Sequence, residues 1–105
     1  MRGRSKYDNY EVLTSAKRFP GTYYKIQLIA VKHYNPDHPR YEPVKEWGEL
    51  ETEYIIEKKL TRVLLARFFS LEEAQAVLEE VRKVAPFQRA FIVEYEDGER
   101  VRRVR

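Results

Sequence analysis

The sequence predicts an α+β domain, with one layer of antiparallel sheet covered on one face by helix. Three observations predict it. Residues 22–32 and 60–68 are long runs rich in β-branched and aromatic residues, with neither Gly nor Pro. Residues 49–58 alternate in the two-residue period of a half-buried strand. Ser70 opens one well-marked helix, and the chain returns to a strand pattern at residues 90–96.

The elements follow in order. Residues 1–20 mix polar and apolar side chains without a sustained period and end in the turn signal Phe19-Pro20-Gly21, so they read as a basic linker or strap. In the first strand, Tyr24, Ile26, Leu28 and Ala30 share a face that should meet the core. Lys25, Gln27, Ile29 and Val31 share the other face. Residues 33–43 hold three X-Pro pairs, ending at Pro36, Pro39 and Pro43, and each restricts its predecessor to extended geometry. This leaves room for about one helical turn over residues 44–47 before Gly48 ends it.

Residues 49–58 set Leu50, Thr52, Tyr54 and Ile56 against Glu49, Glu51, Glu53 and Ile55, with the acidic side expected to face water. Lys58-Lys59 marks a turn, and residues 60–68 should return as the second arm of an antiparallel hairpin. Ser70-Leu71-Glu72-Glu73 is a capping box, in which the Ser hydroxyl accepts from a backbone N–H three residues on. Ala74, Val77, Leu78, Val81 and Val84 then form one apolar stripe that Pro86 closes. After residues 90–96, Asp97-Gly98 is a turn signal, and residues 99–104 form either a further short strand or a basic tail. The division is therefore 1–20, a domain over 21–98, and 99–105. One sheet face is left open, which is a natural binding surface.

Composition bounds the function. The 105 residues suit one domain; 43% are hydrophobic and 35% charged, enough for a single core under a well-solvated surface. There is no Cys, which removes disulfides, thiol chemistry and thiolate metal sites and leaves the compartment open. Met1-Arg2-Gly3-Arg4-Ser5-Lys6 is basic but no apolar run follows, so no signal peptide is expected. No window approaches the roughly eighteen apolar residues of a membrane span. The net charge of +3 is uneven: residues 1–20 carry five Lys/Arg against two Asp/Glu, and residues 98–105 carry four Arg against one Glu, so the body between them is net acidic. The terminal Arg100, Arg102, Arg103 and Arg105 read as a solvated run or as a contact for an anionic polymer.

Catalytic and cofactor signals are weak. Gly3, Gly21, Gly48 and Gly98 stand singly, which is not a phosphate-binding loop. His33 and His38, with Asp37 between them, lie in a Pro-rich loop and read as solvated, so no metal and no cofactor are expected. Glu49, Glu51 and Glu53 place carboxylates about 7 Å apart along one strand face. That is near a glycosidase separation, but alternating Glu on a strand reads first as a soluble outer face. The chain is not expected to be an enzyme.

A resemblance extends this reading. Tyr24, Ile26, Gln27, Leu28 and Ala30, then Arg62, Val63, Leu65 and Phe68, then Ser70, Glu72, Glu73 and Ala74 occur in an order and spacing that resemble a SPOR domain over residues 22–97. The short Pro-rich first crossover and the Phe91-to-Gly98 ending look like the Bacteroidetes-like variant. The resemblance implies a ferredoxin-like or RNP-like fold, a four-stranded antiparallel sheet with helix on one face and a short or degenerate first helix. It also implies binding of peptidoglycan glycan strands, stripped of stem peptides, across the open sheet face.

Gln27 and Arg62 fall at positions that contact glycan in that family, Ala30 where a small or hydroxyl residue sits, and Leu60 where some members place Trp. Ile29 takes the place of a Gly, and Leu64 is expected beside it on the open face. An amide offers donors and an acceptor to sugar hydroxyl and acetamido groups, and Arg offers a fork of donors to lactyl carboxylates. Tyr23, Trp47 or Tyr54 would stack on sugar faces. Such a module would target its host protein to the cell wall or septum, in the cell envelope or periplasm if exported. The alternative is a cytoplasmic or envelope protein-protein interaction domain using Ile29, Leu64 and the tyrosines as an apolar patch. Nucleic acid is not an expected partner, because the body is net acidic and the aromatic strand motif of sheet-surface RNA readers is missing.

Overall fold

The computed structural model describes residues 2–4, 10–14 and 16–104. The linker-or-strap reading falls partly on residues 1, 5–9 and 15, and the tail reading partly on Arg105; these lie outside the described residues. In chain order the elements are β1 (Arg2–Arg4), β2 (Glu11–Thr14), β3 (Thr22–Val31), a 3₁₀ segment (Pro39–Trp47), β4 (Glu49–Ile55), β5 (Leu60–Phe68), α1 (Leu71–Val81), β6 (Phe91–Glu96) and β7 (Glu99–Arg103).

The fold corrects the expected four-stranded, ferredoxin-like sheet. Six strands of four residues or more form one antiparallel sheet curled into a half-barrel, and the three-residue β1 extends its edge. The order is β1-β2-β4-β5-β3-β6-β7. The four strands read from the sequence lie together at its centre, and the sheet continues past them on both sides. Val12 pairs with Ile55, Leu13 with Tyr54 and Thr14 with Glu53, so β2 covers the edge that β4 would have exposed. On the other side, β7 pairs with β6 from Glu96–Glu99 to Val93–Arg103. The β6–β7 turn is tight because Asp97 and Gly98 both take positive φ, 51° and 88°. That is the backbone of a two-residue hairpin loop matched to sheet twist.

Among the described residues only one α-helix forms. In the first crossover Pro39 opens the segment and Pro43 sits inside it, so i→i−4 bonding is blocked and the chain winds as a 3₁₀ helix. His38 caps it: its Nδ1 accepts from the Arg40 backbone N–H at 3.1 Å. Tyr41 and Val44 are its buried residues. Helix α1 starts as the capping box predicts, with Ser70 Oγ accepting from the Glu73 N–H at 3.1 Å. It buries Ala74, Leu78 and Val81. These meet Ile26, Leu28, Val63, Leu65, Phe68, Phe87, Ala90 and Ile92 in the main core.

Two register changes shape β3. Between Gln27 and Ile29 the pairing with β5 shifts: Gln27 lies opposite Leu64, whereas Ile29 lies opposite Val63. Leu28 is thus an extra residue on β3, and at such a bulge two successive side chains lean to the same side. Leu28 is buried in the helix-side core and Ile29 packs against it, followed by Val31. This overturns the simple alternation that grouped Ile29 and Val31 with Gln27. Ala30, expected in the core, lies opposite Arg62 and is exposed. A second shift between Tyr24 and Ile26, and one in the β6–β7 pairing, add local twist and help curl the sheet.

Candidate functional site

The sheet face turned away from α1 is where the sequence places an open binding surface. Its geometry shows a closed one. Arg100 on β7 and Glu53 on β4 stand four strand positions apart, about 19 Å in a flat sheet at the usual spacing. Yet Arg100 Nη2 lies 3.2 Å from Glu53 Oε1. The same carboxylate accepts from the Tyr95 hydroxyl on β6 and pairs with Arg62 Nη1 at 3.4 Å. Such contacts across a single sheet require this face to be concave.

The concave side holds two linked charge groups. In the first, Glu53 gathers Arg62, Arg100 and Tyr95, and Arg100 Nη2 also donates to Gln27 Oε1 at 2.7 Å. In the second, Glu51 Oε1 lies 2.6 Å from Lys25 Nζ, and Glu51 Oε2 accepts from Arg67 Nη1. Tyr95 joins them: Lys25 Nζ sits 4.5 Å from its ring centre and Tyr23 stacks on it at 5.8 Å. Leu64 and Val93 complete the apolar floor. Lys25 is 3% exposed, Arg100 4%, Glu53 6% and Arg62 7%, so the charges are desolvated and each is held by its neighbours. Glu51 and Glu53 therefore look inward, not toward water as the alternation suggested, whereas Glu49 is exposed.

Burial, and after it the Glu53 carboxylate, push the Tyr95 phenol well above its ordinary 10.0. The phenol stays protonated and donates. In the unfolded chain it would lose its proton near the ordinary value, whereas the folded state keeps it. The contribution to stability is thus whole below pH 10.0 and falls as pH rises from there through the folded value. Urea midpoints measured across the alkaline range should decline in the native chain and decline less steeply in Tyr95→Phe. Equal slopes would mean that the phenol titrates as in water.

The candidate residues read from the sequence are separated by this arrangement. Gln27 is half-buried with its oxygen bound to Arg100, and Arg62 is inside the network. Leu64 is fully buried in the apolar floor. Leu60 is half-buried at the end of the β4–β5 hairpin, opposite Ile55. Ile29 belongs to the helix-side core, and Ala30 is exposed beyond the bulge. Tyr23 is buried, while Trp47 and Tyr54 are half-buried. Side chains of the sheet itself fill this face.

Three of these residues instead meet at one end of β3. Strand β6 pairs with β3 only from Thr22 to Gln27, so past Gln27 the two diverge. The opening is a groove of about 660 Å³ lined by residues 27–30 of β3 and by Pro86, Gln88, Arg89 and Phe91. Gln88 and Arg89 are exposed, and among the described residues neither side chain has a hydrogen bond or ion pair. The groove is therefore bordered by two glutamines, an arginine and a phenylalanine, whose ring centre lies 4.1 Å from the Arg103 guanidinium. Gln88 and Arg89 lie in the α1–β6 connection, where no motif marks them. Lys25, Arg67 and Tyr95 left a fainter trace, as polar or charged positions on strand faces opposite the β4 glutamates.

No family model, curated protein or solved structure matches this chain. No helix among the described residues is long and apolar enough to cross a membrane.

Proposed function

We propose that this chain is a non-catalytic binding module for a glycan strand that carries acetamido and carboxylate groups, as peptidoglycan does once its stem peptides are removed. The groove at the end of β3 carries the reading. Its amides can exchange hydrogen bonds with sugar hydroxyl and acetamido groups, Arg89 supplies a donor fork for a carboxylate, and Ile29, Pro86 and Phe91 add apolar area beside them. The SPOR-like order of motifs supports the same ligand class, with Gln27, Ile29 and Ala30 now placed at the rim of a groove. The apolar patch that a protein-binding role would use, Ile29 with Leu64, is divided between the two cores.

The test is sedimentation with purified sacculi, untreated and amidase-treated. The native chain should enrich in the pellet, more so after amidase treatment. Gln27→Ala and Arg89→Ala should reduce that enrichment about tenfold, the cost of about one hydrogen bond; Arg89→Ala should unfold close to native, and Gln27→Ala earlier, because Arg100 loses an acceptor. A native chain that stays in the supernatant on both preparations would overturn the reading.

A further inference from the structure

The network behind the groove determines which end of Gln27 a ligand meets. Arg has donors only, so the amide atom that contacts it must be the oxygen. Arg100 Nη2 donates to that oxygen at 2.7 Å. Arg100 is itself fixed, 4% exposed, paired with Glu53 at 3.2 Å and with its guanidinium 5.8 Å from the Tyr95 ring centre. Turning the amide over would set an NH₂ group against a guanidinium, donor against donor. Among the described residues Arg100 is the only side-chain partner of the Gln27 amide. Gln27 is half-buried and lines the groove, and among the described residues its amide nitrogen has no hydrogen-bond partner. With one lone pair of its oxygen taken by Arg100, Gln27 offers chiefly its two N–H donors.

On this basis we propose that Arg100 is a positioning residue that holds Gln27 with its N–H donors free, so that the groove favours the acetamido carbonyl of an N-acetylated sugar over the ammonium of its deacetylated form. The inference rests on the glycan reading above. Arg89 in the same groove acts in the same direction, because a guanidinium repels an ammonium and donates to a carbonyl or carboxylate. A ligand rich in acceptors fits; one rich in donors does not.

Titration of the intact chain with the hexamer of N-acetylglucosamine and with the hexamer of glucosamine reads this directly. The native chain should bind the acetylated oligomer at least about tenfold more tightly. Gln27→Glu is the decisive variant: one carboxylate oxygen keeps Arg100, and the other puts an acceptor where the NH₂ stood. The preference should collapse toward unity or reverse, with an unfolding midpoint no lower than native. Gln27→Met, which offers neither donor nor acceptor, should lose affinity for the acetylated oligomer without gaining any for the amine. Arg100→Lys, which still donates, should keep the ratio, whereas Arg100→Gln, which lets the amide turn, should lower it. The ratio is a readout that a merely structural Arg100 would leave unchanged.

A folded Gln27→Glu that keeps the native ratio, or a native chain that binds both oligomers equally, overturns the positioning role while sedimentation with sacculi still upholds the glycan reading. A native chain that binds neither oligomer and no sacculi overturns both.

Discussion

Glu53→Ala should lower the stability of the fold by about 3–5 kcal/mol, the usual cost of removing one partner from a buried ion pair. The substitution takes away the carboxylate shared by Arg62, Arg100 and Tyr95, all nine-tenths or more buried. The two guanidinium groups are left facing one another at short range without the anion between them, and the phenol loses its acceptor. Side-chain volume is a minor part of the loss. Glu53→Gln, which keeps the shape but replaces the charge with an amide that also presents donors to Arg, should fall between native and Glu53→Ala. Urea unfolding of the three proteins gives the differences, and a double-mutant cycle with Arg100→Met isolates the coupling, which should exceed 1 kcal/mol for groups in contact within one network. A loss below about 1 kcal/mol for Glu53→Ala would instead be the behaviour of a solvated surface pair. The concave face would then be open to water and available to a ligand.

Phe87→Ala should cost about 3–5 kcal/mol, the range for deleting a buried aromatic side chain. Phe87 is fully buried, and its ring stacks on Tyr41 with centroids 5.9 Å apart. The contact joins two crossovers, the 3₁₀ segment before β4 and the turn after α1. The first crossover has no α-helix to cover its part of the sheet, so this ring pair fills space that a second helix would otherwise occupy. Removing it leaves a cavity in the main core, where Val44, Val81 and Ala90 are also fully buried. Phe87→Leu should recover more than half of the loss. A thermal midpoint for Phe87→Ala within a degree or two of native would show that the crossovers close over the gap. It would also show that the 3₁₀ segment is not anchored through Tyr41.

The two substitutions probe different levels of legibility in the sequence. Phe87 follows Pro86 and precedes a strand, and nothing about its spacing marks it as the contact that ties two distant connections. Glu53 was legible as a strand residue but not as a buried one, because alternation gives two faces without saying which one water reaches. In the groove, Gln27, Ile29 and Ala30 were marked by a motif, whereas Gln88 and Arg89 come from a connection of no distinctive pattern. They reach the groove only because β6 separates from β3 after Gln27.

Local chemistry determined much of this protein by itself. The Ser70 cap and the three- and four-residue spacing from Ala74 to Val81 specify α1, Pro39 and Pro43 prevent an α-helix in the first crossover, and Asp97-Gly98 specifies a tight hairpin. These are short-range effects, settled within a few residues by backbone sterics and hydrogen bonding. Tertiary structure alone decided how many strands join the sheet, where the bulge at Leu28 turns Ile29 into the core, and that the sheet curls until β4 and β7 meet across its hollow. Strand pairing is non-local, and a bulge moves every later side chain to the opposite face. Curvature is the sum of such shifts over the sheet, and it converts a row of charges that alternation would place in water into a buried network.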